Sequence, residues 1–365
     1  MTVSALPAAL LDPAVIRREV DARLDAFMAD KVRAADSLRL PAELAGMLRE
    51  FLLNGGKRVR PQLCVIGWLA GGGDPAPPAR VVQVAASLEM FHAFALIHDD
   101  VMDRSATRRG RPSIHRALAA LHGADVNGAD VPGADRIGEN GAVLVGDLAL
   151  VWSDELLAGA ALTADQQART RPVIDAMRAE VMYGQYLDVV AGTAPADDTE
   201  RPLTVIRYKT ARYTVERPLQ LGAALAGGGP AVAAALTDYA LPIGEAFQLR
   251  DDLLGVFGSP DETGKSSLDD LREGKHTLLL ALALQRADAD QRDTLHTLVG
   301  DPELDEEDAT RVRAVLEATG ARTAIERRID ERRAEALAAL VAAPIPAAAA
   351  QALVDFADTA TVRVV

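Results

Sequence analysis

Two groups of aspartates, about 150 residues apart, are the residues of this chain best suited to chemistry. Asp99, Asp100 and Asp103 form the segment DDVMD, and Asp251 and Asp252 form a second pair. Asp99 and Asp103 are four positions apart, so a helix would place both on one face. Near the C-terminal end of a helix, carboxylates at this spacing repel each other and the helix dipole. Because Mg²⁺ prefers carboxylate oxygens, the pattern predicts a divalent-metal site.

Basic residues accompany the first acidic group. Arg108 and Arg109 follow it closely, and the glycine and proline after them predict a turn back toward the carboxylates. Upstream, the segment GGKRVRP carries Lys57 and Arg60 but lacks the spacing of a P-loop. Basic side chains next to bound metal ions favour a second anion, a diphosphate that arginines would hold in a bidentate manner.

Other interpretations of these patterns were open. Acidic proteins often carry solvated acidic surfaces, but the part of the predicted helix that precedes the first acidic group, residues 81–97, is almost wholly apolar. We therefore expect the carboxylates to lie at the mouth of a buried cavity. Lys209, in the middle of a predicted helix, is by pattern alone an ordinary solvated residue. Gly255 stands where a third carboxylate would complete the second group, which predicts a poorer metal site there.

The elements that position these residues are predicted to be helices. The 365 residues are rich in Ala and Leu, strand-like clusters are scarce, and no linker divides the chain. We expect one all-α domain over residues 1–365, with the long Gly- and Asp-rich segments as surface loops. The predicted helices cover residues 12–36, 41–53, 59–69, 78–104, 140–158, 163–190, 203–225, 231–256, 269–285, 306–341 and 346–358.

Composition also narrows the function classes. A net charge of −14 without a basic stripe argues against non-specific binding to nucleic acid. The single cysteine, Cys64, lies in an apolar helical pattern, which predicts a buried thiol and not a nucleophile. No stretch was expected to reach the roughly 20 apolar residues that span a bilayer, and no leader pattern opens the chain. We expect a cytoplasmic protein without stable membrane insertion.

Taken together, the motifs closely resemble those of the trans-prenyltransferases, the polyprenyl diphosphate synthase family. The resemblance rests on GGKRVRP, DDVMDRSATRRGRP, GQYLD, KT, FQLRDDLLG and GKSSLDDLREGK, in the family's order, over about residues 50–280. It is greatest to short-chain bacterial geranylgeranyl diphosphate synthases. It implies an all-α bundle around a deep central cavity, a homodimer, and two aspartate-rich segments that face each other across the cavity mouth.

The resemblance also implies a role for each matching position. Asp99, Asp103 and Asp251 would be the principal Mg²⁺ ligands, supported by Asp100 and Asp252, with about three ions per active site when substrate is bound. Isopentenyl diphosphate would contact Lys57, Arg60, His92 and Arg109. The allylic diphosphate would contact Arg108, Lys209, Thr210, Gln248, Lys265 and Lys275. Gln185 and Asp188 would support these residues without direct substrate contact.

The implied reaction is a head-to-tail condensation. Ionisation of the allylic diphosphate gives a cation, which the double bond of isopentenyl diphosphate attacks in a dry apolar cavity. Phe94, five residues before Asp99, resembles the aromatic residue of synthases that stop at the twenty-carbon product. Ala95 beside it is small, and Phe91 lies one turn further down the helix. Ordinary core packing of Phe94 is the other interpretation.

Three other functions share parts of this pattern. A class I terpene cyclase would not need Lys57, Arg60 and His92 and usually has a different second metal motif. A non-catalytic partner subunit would typically have lost one acidic motif, and Gly255 is the one departure that points that way. The same enzyme with a farnesyl or longer product is the third alternative.

Overall fold

The computed structural model describes residues 12–124, 131–193, 195–258 and 268–361. Two compact units are present. The first comprises Met1–Arg169 and Gly222–Gly227, and the second comprises Thr170–Leu221 and Gly228–Val365. The fold is all-α, as predicted. The described strands are two, each of two residues, and they form one hairpin. That the chain functions as one domain stays a prediction.

The first unit contains the early helices and the hairpin. Asp12 caps the first helix, since its side chain accepts a hydrogen bond from Ala14 N at 2.8 Å. The elements are α1 (Pro13–Leu38), α2 (Glu43–Leu53), α3 (Val59–Ala70), α4 (Ala79–Met102), β1 (Thr107–Arg108), β2 (Arg111–Pro112), α5 (Ile114–Leu121) and α6 (Ala134–Ala158).

Helix α4 is the core helix of the first unit. It packs against α1, α3 and α6, and most of its residues from Val81 to Ile97 are buried on every side. A helix that is apolar all round is stable in water only when it is covered in this way. Among the described residues, α4 is the one helix long and apolar enough to span a membrane, and 67% of its most apolar window is buried. The expectation that no stretch reaches that length was therefore wrong.

The second unit contains the later helices. The points in the sequence at which the two units divide, after Arg169 and after Leu221, lie within helices α7 (Ala164–Val189) and α9 (Arg217–Ala226). The other elements are α8 (Glu200–Val205), a π-helix (Ile206–Glu216), α10 (Pro230–Phe257), α11 (Asp269–Arg272), α12 (Leu278–Arg286), α13 (Ala289–Leu298), α14 (Glu306–Ala318), α15 (Ala321–Val341) and α16 (Ala347–Thr361).

Helix α10 organises the second unit. It packs against the π-helix, α15 and α16, and its buried residues include Tyr239, whose hydroxyl donates to Leu353 O at 2.6 Å. Burial raises the pKa of Tyr239 well above its ordinary value, and Asp358 raises it further. The side chain therefore serves as a hydrogen-bond donor that fixes α16.

Several helix boundaries differ from the predictions. The helix predicted at 306–341 is broken at Gly320, whose φ of 69° ends one helix before the next begins. The helix predicted at 269–285 is two helices, α11 and α12, and the one at 203–225 is continuous but changes to π geometry over Ile206–Glu216. Helices α5 and α13 were not predicted.

The cysteine behaves as predicted from its apolar surroundings. Cys64 is buried and forms no disulfide. Burial raises the pKa of its thiol to about 12. Because the thiolate is the nucleophilic form, Cys64 is an inert core residue at neutral pH.

Candidate active site

The acidic end of α4 presents two kinds of aspartate. Asp100 is 1% exposed, whereas Asp99 and Asp103 are partly exposed. The helix hydrogen bond from Asp103 N to Asp99 O, at 2.8 Å, keeps the latter two one turn apart. The predicted spacing on one face is therefore present, with the third carboxylate directed inward.

The hairpin returns Arg108 to these carboxylates. Thr107–Arg108 pairs antiparallel with Arg111–Pro112, so the chain reverses directly after α4. Arg108 Nε donates to Asp100 Oδ1 at 2.8 Å, and Arg108 Nη2 lies 3.6 Å from Asp99 Oδ2. Burial opposes the charged form of Arg108, but Asp100, Asp99 and Asp103 outweigh it and raise the pKa of Arg108. The turn predicted after the first acidic group is thus confirmed.

A buried ion pair fixes the loop that carries Lys57. Arg58 is 2% exposed; its Nε donates to Asp21 Oδ1 at 2.7 Å and its Nη1 to Glu89 Oε1 at 2.6 Å. Nη2 also donates to Leu52 O. Burial acts against the charge, yet Glu89 and Asp21 outweigh it and raise the pKa of Arg58. Arg58 has a φ of 51°, a conformation that a non-glycine residue keeps only when its surroundings fix it.

Arg109 closes the same loop from the other side. Its Nη1 donates to Phe51 O and Gly55 O, each at 3.3 Å, at the end of α2. Its guanidinium also lies over the ring of Phe51, 5.6 Å from the centroid. These contacts place Arg109 beside the segment 55–60, although the two are about 50 residues apart in sequence.

Four arginines lie close enough to His92 on α4 to influence its pKa. Burial lowers the pKa of His92 well below its ordinary value, and the nearby charges of Arg60, Arg109, Arg108 and Arg58 lower it further, in that order. The imidazole is therefore neutral at neutral pH. A site in which several arginines repel one another is stabilised by a bound anion. Three of the four residues predicted to contact isopentenyl diphosphate, Arg60, His92 and Arg109, thus share one electropositive region.

In the second unit, the π-helix positions the predicted Lys209. Lys209 Nζ lies 2.6 Å from Asp188 Oδ2 on α7. The π-helix is closely packed between two glycines, because a Cβ on Gly184 would lie 2.6 Å from Lys209 N and one on Gly244 would lie 2.5 Å from Ala211 Cα. π geometry often occurs at functional sites. The structure therefore joins Lys209 and Asp188, two residues predicted from separate motifs.

A chain of hydrogen bonds connects the π-helix to the second acidic group. Thr210 Oγ1 donates to Gln248 Oε1 at 2.7 Å, and Gln248 Nε2 donates to Asp252 Oδ1 at 2.8 Å. The pKa of Asp252 is raised to about 7. Burial is the largest cause and the charges of Asp251 and Asp270 add to it, whereas the hydrogen bond from Gln248 lowers the pKa. The predicted residues Thr210, Gln248 and Asp252 are brought together.

The segment after the second acidic group contributes an unpredicted carboxylate. Asp270 lies on α11, against Gly255 of α10. Lys275 Nζ, predicted to be near the allylic diphosphate, lies 3.6 Å from Asp270 Oδ1 and 3.2 Å from Glu273 Oε2. Lys265 lies outside the described residues, so its predicted role stays a prediction.

The chemistry of these residues fits Mg²⁺. In the first unit three carboxylates are matched by the partly buried guanidinium of Arg108, and in the second unit neighbouring aspartates hinder the ionisation of Asp252. Both arrangements have a surplus of hard oxygen donors that a divalent cation would balance. In the described part of the chain, no three His, Cys, Asp or Glu side chains are already gathered in a way that could hold a metal ion. The fit therefore rests on donor type and charge.

The predicted chain-length residues are part of the core around α4. Phe91 is 1% exposed and Phe94 is 8% exposed. Their ring centroids are 5.2 Å apart with an interplanar angle of 49°. Ala95 is partly exposed next to them. Both rings are thus packed side by side below the acidic end of α4.

Sequence reasoning missed three of the charged residues at these sites: Arg58, Glu89 and Asp270. Glu89 offered a signal, because a single carboxylate in the apolar stretch at 81–97 must be paired if it is buried. Asp270 stands in the acidic segment DDLREGK, which the resemblance had already singled out. Only the structure shows that Glu89 pairs with Arg58 and that Asp270 lies near Lys275.

Comparison with known proteins agrees with the motifs. A polyprenyl synthetase family model matches residues 41–318. Geranylfarnesyl diphosphate synthase of Aeropyrum pernix is 32% identical over 284 residues, which cover 77% of this chain and 81% of that protein. A (2E,6E)-farnesyl diphosphate synthase of Mycobacterium bovis is 35% identical over 232 residues, which cover 62% of this chain and 56% of that protein.

A solved structure is similar over almost the whole chain. It is the crystal structure of geranylgeranyl pyrophosphate synthase from Corynebacterium glutamicum, complexed with isoprenyl diphosphate and magnesium. It aligns with a TM-score of 0.87 at 39% identity, covering 95% of this chain and 99% of that one. With the family match and the ordered motifs, this likeness leads to one conclusion: the chain belongs to the polyprenyl synthetase family and is a trans-prenyltransferase.

Proposed function

We propose that this enzyme condenses isopentenyl diphosphate with allylic diphosphates, head to tail, in a Mg²⁺-dependent reaction whose main product is geranylgeranyl diphosphate. One observation on α4 carries the proposal. His92, whose pKa four nearby arginines lower, and Asp99, in its group of carboxylates, are seven residues apart, about two turns on one helix face. An anion site next to a cation site fits a diphosphate substrate that reacts beside metal ions.

One group of residues in the first unit binds isopentenyl diphosphate. The diphosphate of isopentenyl diphosphate is held by Lys57, Arg60, His92 and Arg109. The buried Arg58 fixes the loop that carries Lys57. Neutral His92 contributes a hydrogen bond without adding charge. The charge balance is left to the arginines, which bind diphosphate oxygens in pairs.

The residues around the acidic groups act on the allylic substrate. Asp99, Asp103 and Asp251 would hold Mg²⁺, with Asp100 and Asp252 in support. When bound, the metal ions supply charge stabilisation for the leaving diphosphate. Arg108, Lys209, Thr210, Gln248, Lys265 and Lys275 are proposed to contact that same group.

Ionisation then depends on what surrounds the allylic carbon. Lys209 adds a positive charge on the leaving-group side, and the pairing with Asp188 holds its ammonium in position. The apolar residues around Phe94 exclude water, so that the double bond of isopentenyl diphosphate captures the cation. Loss of a proton completes one extension, and the departing diphosphate is its natural acceptor.

Product length is the finer part of the proposal. The relatives reported above carry three different product names, so membership of the family does not decide it. Phe94 and Phe91 form a tilted aromatic pair below Asp99, and Ala95 beside them is small. An aromatic pair at this depth would end the space for the growing chain after twenty carbons. The likeness to the Mycobacterium bovis enzyme supports a farnesyl product as the alternative.

We also propose a homodimer in the cytoplasm. Ile137, Leu144 and Val151 on α6 are 42%, 57% and 60% exposed. They are seven residues apart and form one apolar stripe. A second copy that covers the stripe would remove it from water. About three Mg²⁺ ions per active site is the number that the resemblance implies.

Product analysis tests this function. The purified protein is incubated with isopentenyl diphosphate, Mg²⁺ and each of dimethylallyl, geranyl and farnesyl diphosphate, and the dephosphorylated products are separated by chromatography. A dominant twenty-carbon alcohol is expected from every primer. A fifteen-carbon or longer main product would overturn the length argument but keep the reaction class, and no product would favour a non-catalytic subunit.

A further inference from the structure

The ring of Phe94 has an aromatic neighbour on each side along α4. Phe91 lies one turn before it, and His98 lies one turn after it. The centroids of Phe94 and His98 are 4.7 Å apart with an interplanar angle of 66°, an edge-on contact. Aromatic pairs prefer this geometry to face-to-face stacking. The position of the Phe94 ring therefore depends on where the imidazole of His98 is held.

Helix α6 fixes that imidazole. His98 Nε2 lies 3.1 Å from Val143 O, which can only accept, so Nε2 donates the hydrogen bond. Asp147 Oδ1 lies 3.6 Å from the same nitrogen. His98 is thus hydrogen-bonded to Val143 O of α6 and lies near Asp147, while its ring remains in contact with Phe94.

A glycine of α6 makes this arrangement possible. A Cβ on Gly146 would lie 2.3 Å from both Cδ2 and Nε2 of His98. Real Cβ atoms do not approach other heavy atoms so closely, so any larger residue at 146 would push the imidazole away from α6. Gly146 is therefore a notch into which the ring of His98 fits.

We propose that His98, seated in the notch of Gly146, is a second determinant of product length and acts by holding the ring of Phe94 in place. This inference rests on the proposed function, in which Phe94 ends the space for the growing chain. His98 is a positioning residue here, since it acts through Phe94. Without the imidazole, the Phe94 ring can turn into the vacated volume, and the space below Asp99 becomes deeper.

Two substitutions should change product length in opposite directions. In His98→Ala the support is removed, so the ratio of longer products to the main product should rise about tenfold, as expected when one steric contact separates competing rates. In Gly146→Ala the imidazole is pushed from α6 toward Phe94, so products one unit shorter should increase by a similar factor. Gly159→Ala, at the C-cap of α6, is the control, because its Cβ would meet its nearest neighbour at an ordinary 3.4 Å.

A purely structural role of His98 predicts a different result. The variants would melt at lower temperature but give the product distribution of the wild type. Product distributions are therefore measured on protein whose helical content and Tm have been recorded by circular dichroism. If His98→Ala does not fold, His98→Gln serves in its place, because it keeps a donor near the position of Nε2 without the ring.

The possible results distinguish failure of the inference about His98 from failure of the proposed function. Opposite shifts in the two variants, with Gly159→Ala unchanged, support the inference. Active variants with the wild-type product distribution would overturn it and leave the proposed function standing. A wild-type protein that forms no prenyl product from any primer would overturn both.

Discussion

The carboxylate of Asp270 occupies the volume that a side chain at position 255 would need. A Cβ built on Gly255 would lie 1.8 Å from Asp270 Oδ2 and 2.8 Å from Asp270 Cγ. By the i, i+4 spacing from Asp251, Gly255 stands where a third carboxylate would complete the second acidic group. The structure places a carboxylate from α11 at that point, so the glycine does not leave it empty.

Restoring an aspartate at 255 should therefore harm the protein. Gly255→Asp puts two carboxylates into one volume, and overpacking together with like charge should lower the free energy of unfolding by about 1–3 kcal/mol. The measurement is urea denaturation followed by circular dichroism. In the double variant Gly255→Asp with Asp270→Ala, most of this loss should be recovered. If the loss in the double variant equalled the sum of the losses in Gly255→Asp and Asp270→Ala, the contact between the two positions would be contradicted.

The buried pair of Arg58 and Glu89 should dominate the stability of the first unit. Arg58→Met leaves Glu89, 4% exposed, without its main counter-charge. The expected loss is about 3–5 kcal/mol in the free energy of unfolding. Arg49→Met is the control, because Arg49 and Asp25 form a pair with side chains 41% and 46% exposed. That variant should lose about 1 kcal/mol or less. Equal losses in the two variants would contradict this account of Arg58.

Stability should fall as the pH drops through the ordinary pKa of His92. The folded protein keeps His92 neutral, because burial and then Arg60, Arg109, Arg108 and Arg58 lower its pKa well below the ordinary 6.5. The unfolded chain takes up the proton near pH 6.5, so falling pH favours unfolding from there downward. Tm is measured against pH, in buffer without phosphate, for the wild type and His92→Gln. The variant should show the smaller loss, and parallel curves would count against the pKa shift.

Many of the helices could be predicted because their signals are local. Asp12 before Pro13 is an N-cap signal, and α1 begins there. The break at Gly320 also has a local signal, since glycine commonly ends helices, but the periodic pattern continues across it and predicts one long helix. The eight-residue α5 is too short for periodicity to identify.

Site residues that belong to sequence motifs could be predicted. Features of the site that depend on contacts between residues distant in the sequence could not. Asp99, Asp103 and Arg108 could be recognised from spacing, and the hairpin brings them together. The π geometry around Lys209 could not, because it depends on close packing against glycines of α7 and α10. Arg58 could not be singled out from the sequence, because its partners Glu89 and Asp21 lie 31 and 37 residues away.

The most direct test of the central claim is the rate at which labelled isopentenyl diphosphate enters organic-soluble product. The rate is measured with geranyl diphosphate as primer, with and without Mg²⁺, for the wild type and Asp103→Asn. The account predicts Mg²⁺-dependent incorporation by the wild type and a rate at least about 100-fold lower for Asp103→Asn, since that carboxylate supports charge stabilisation in the transition state. Equal rates in the two proteins, or no incorporation by the wild type, would contradict it.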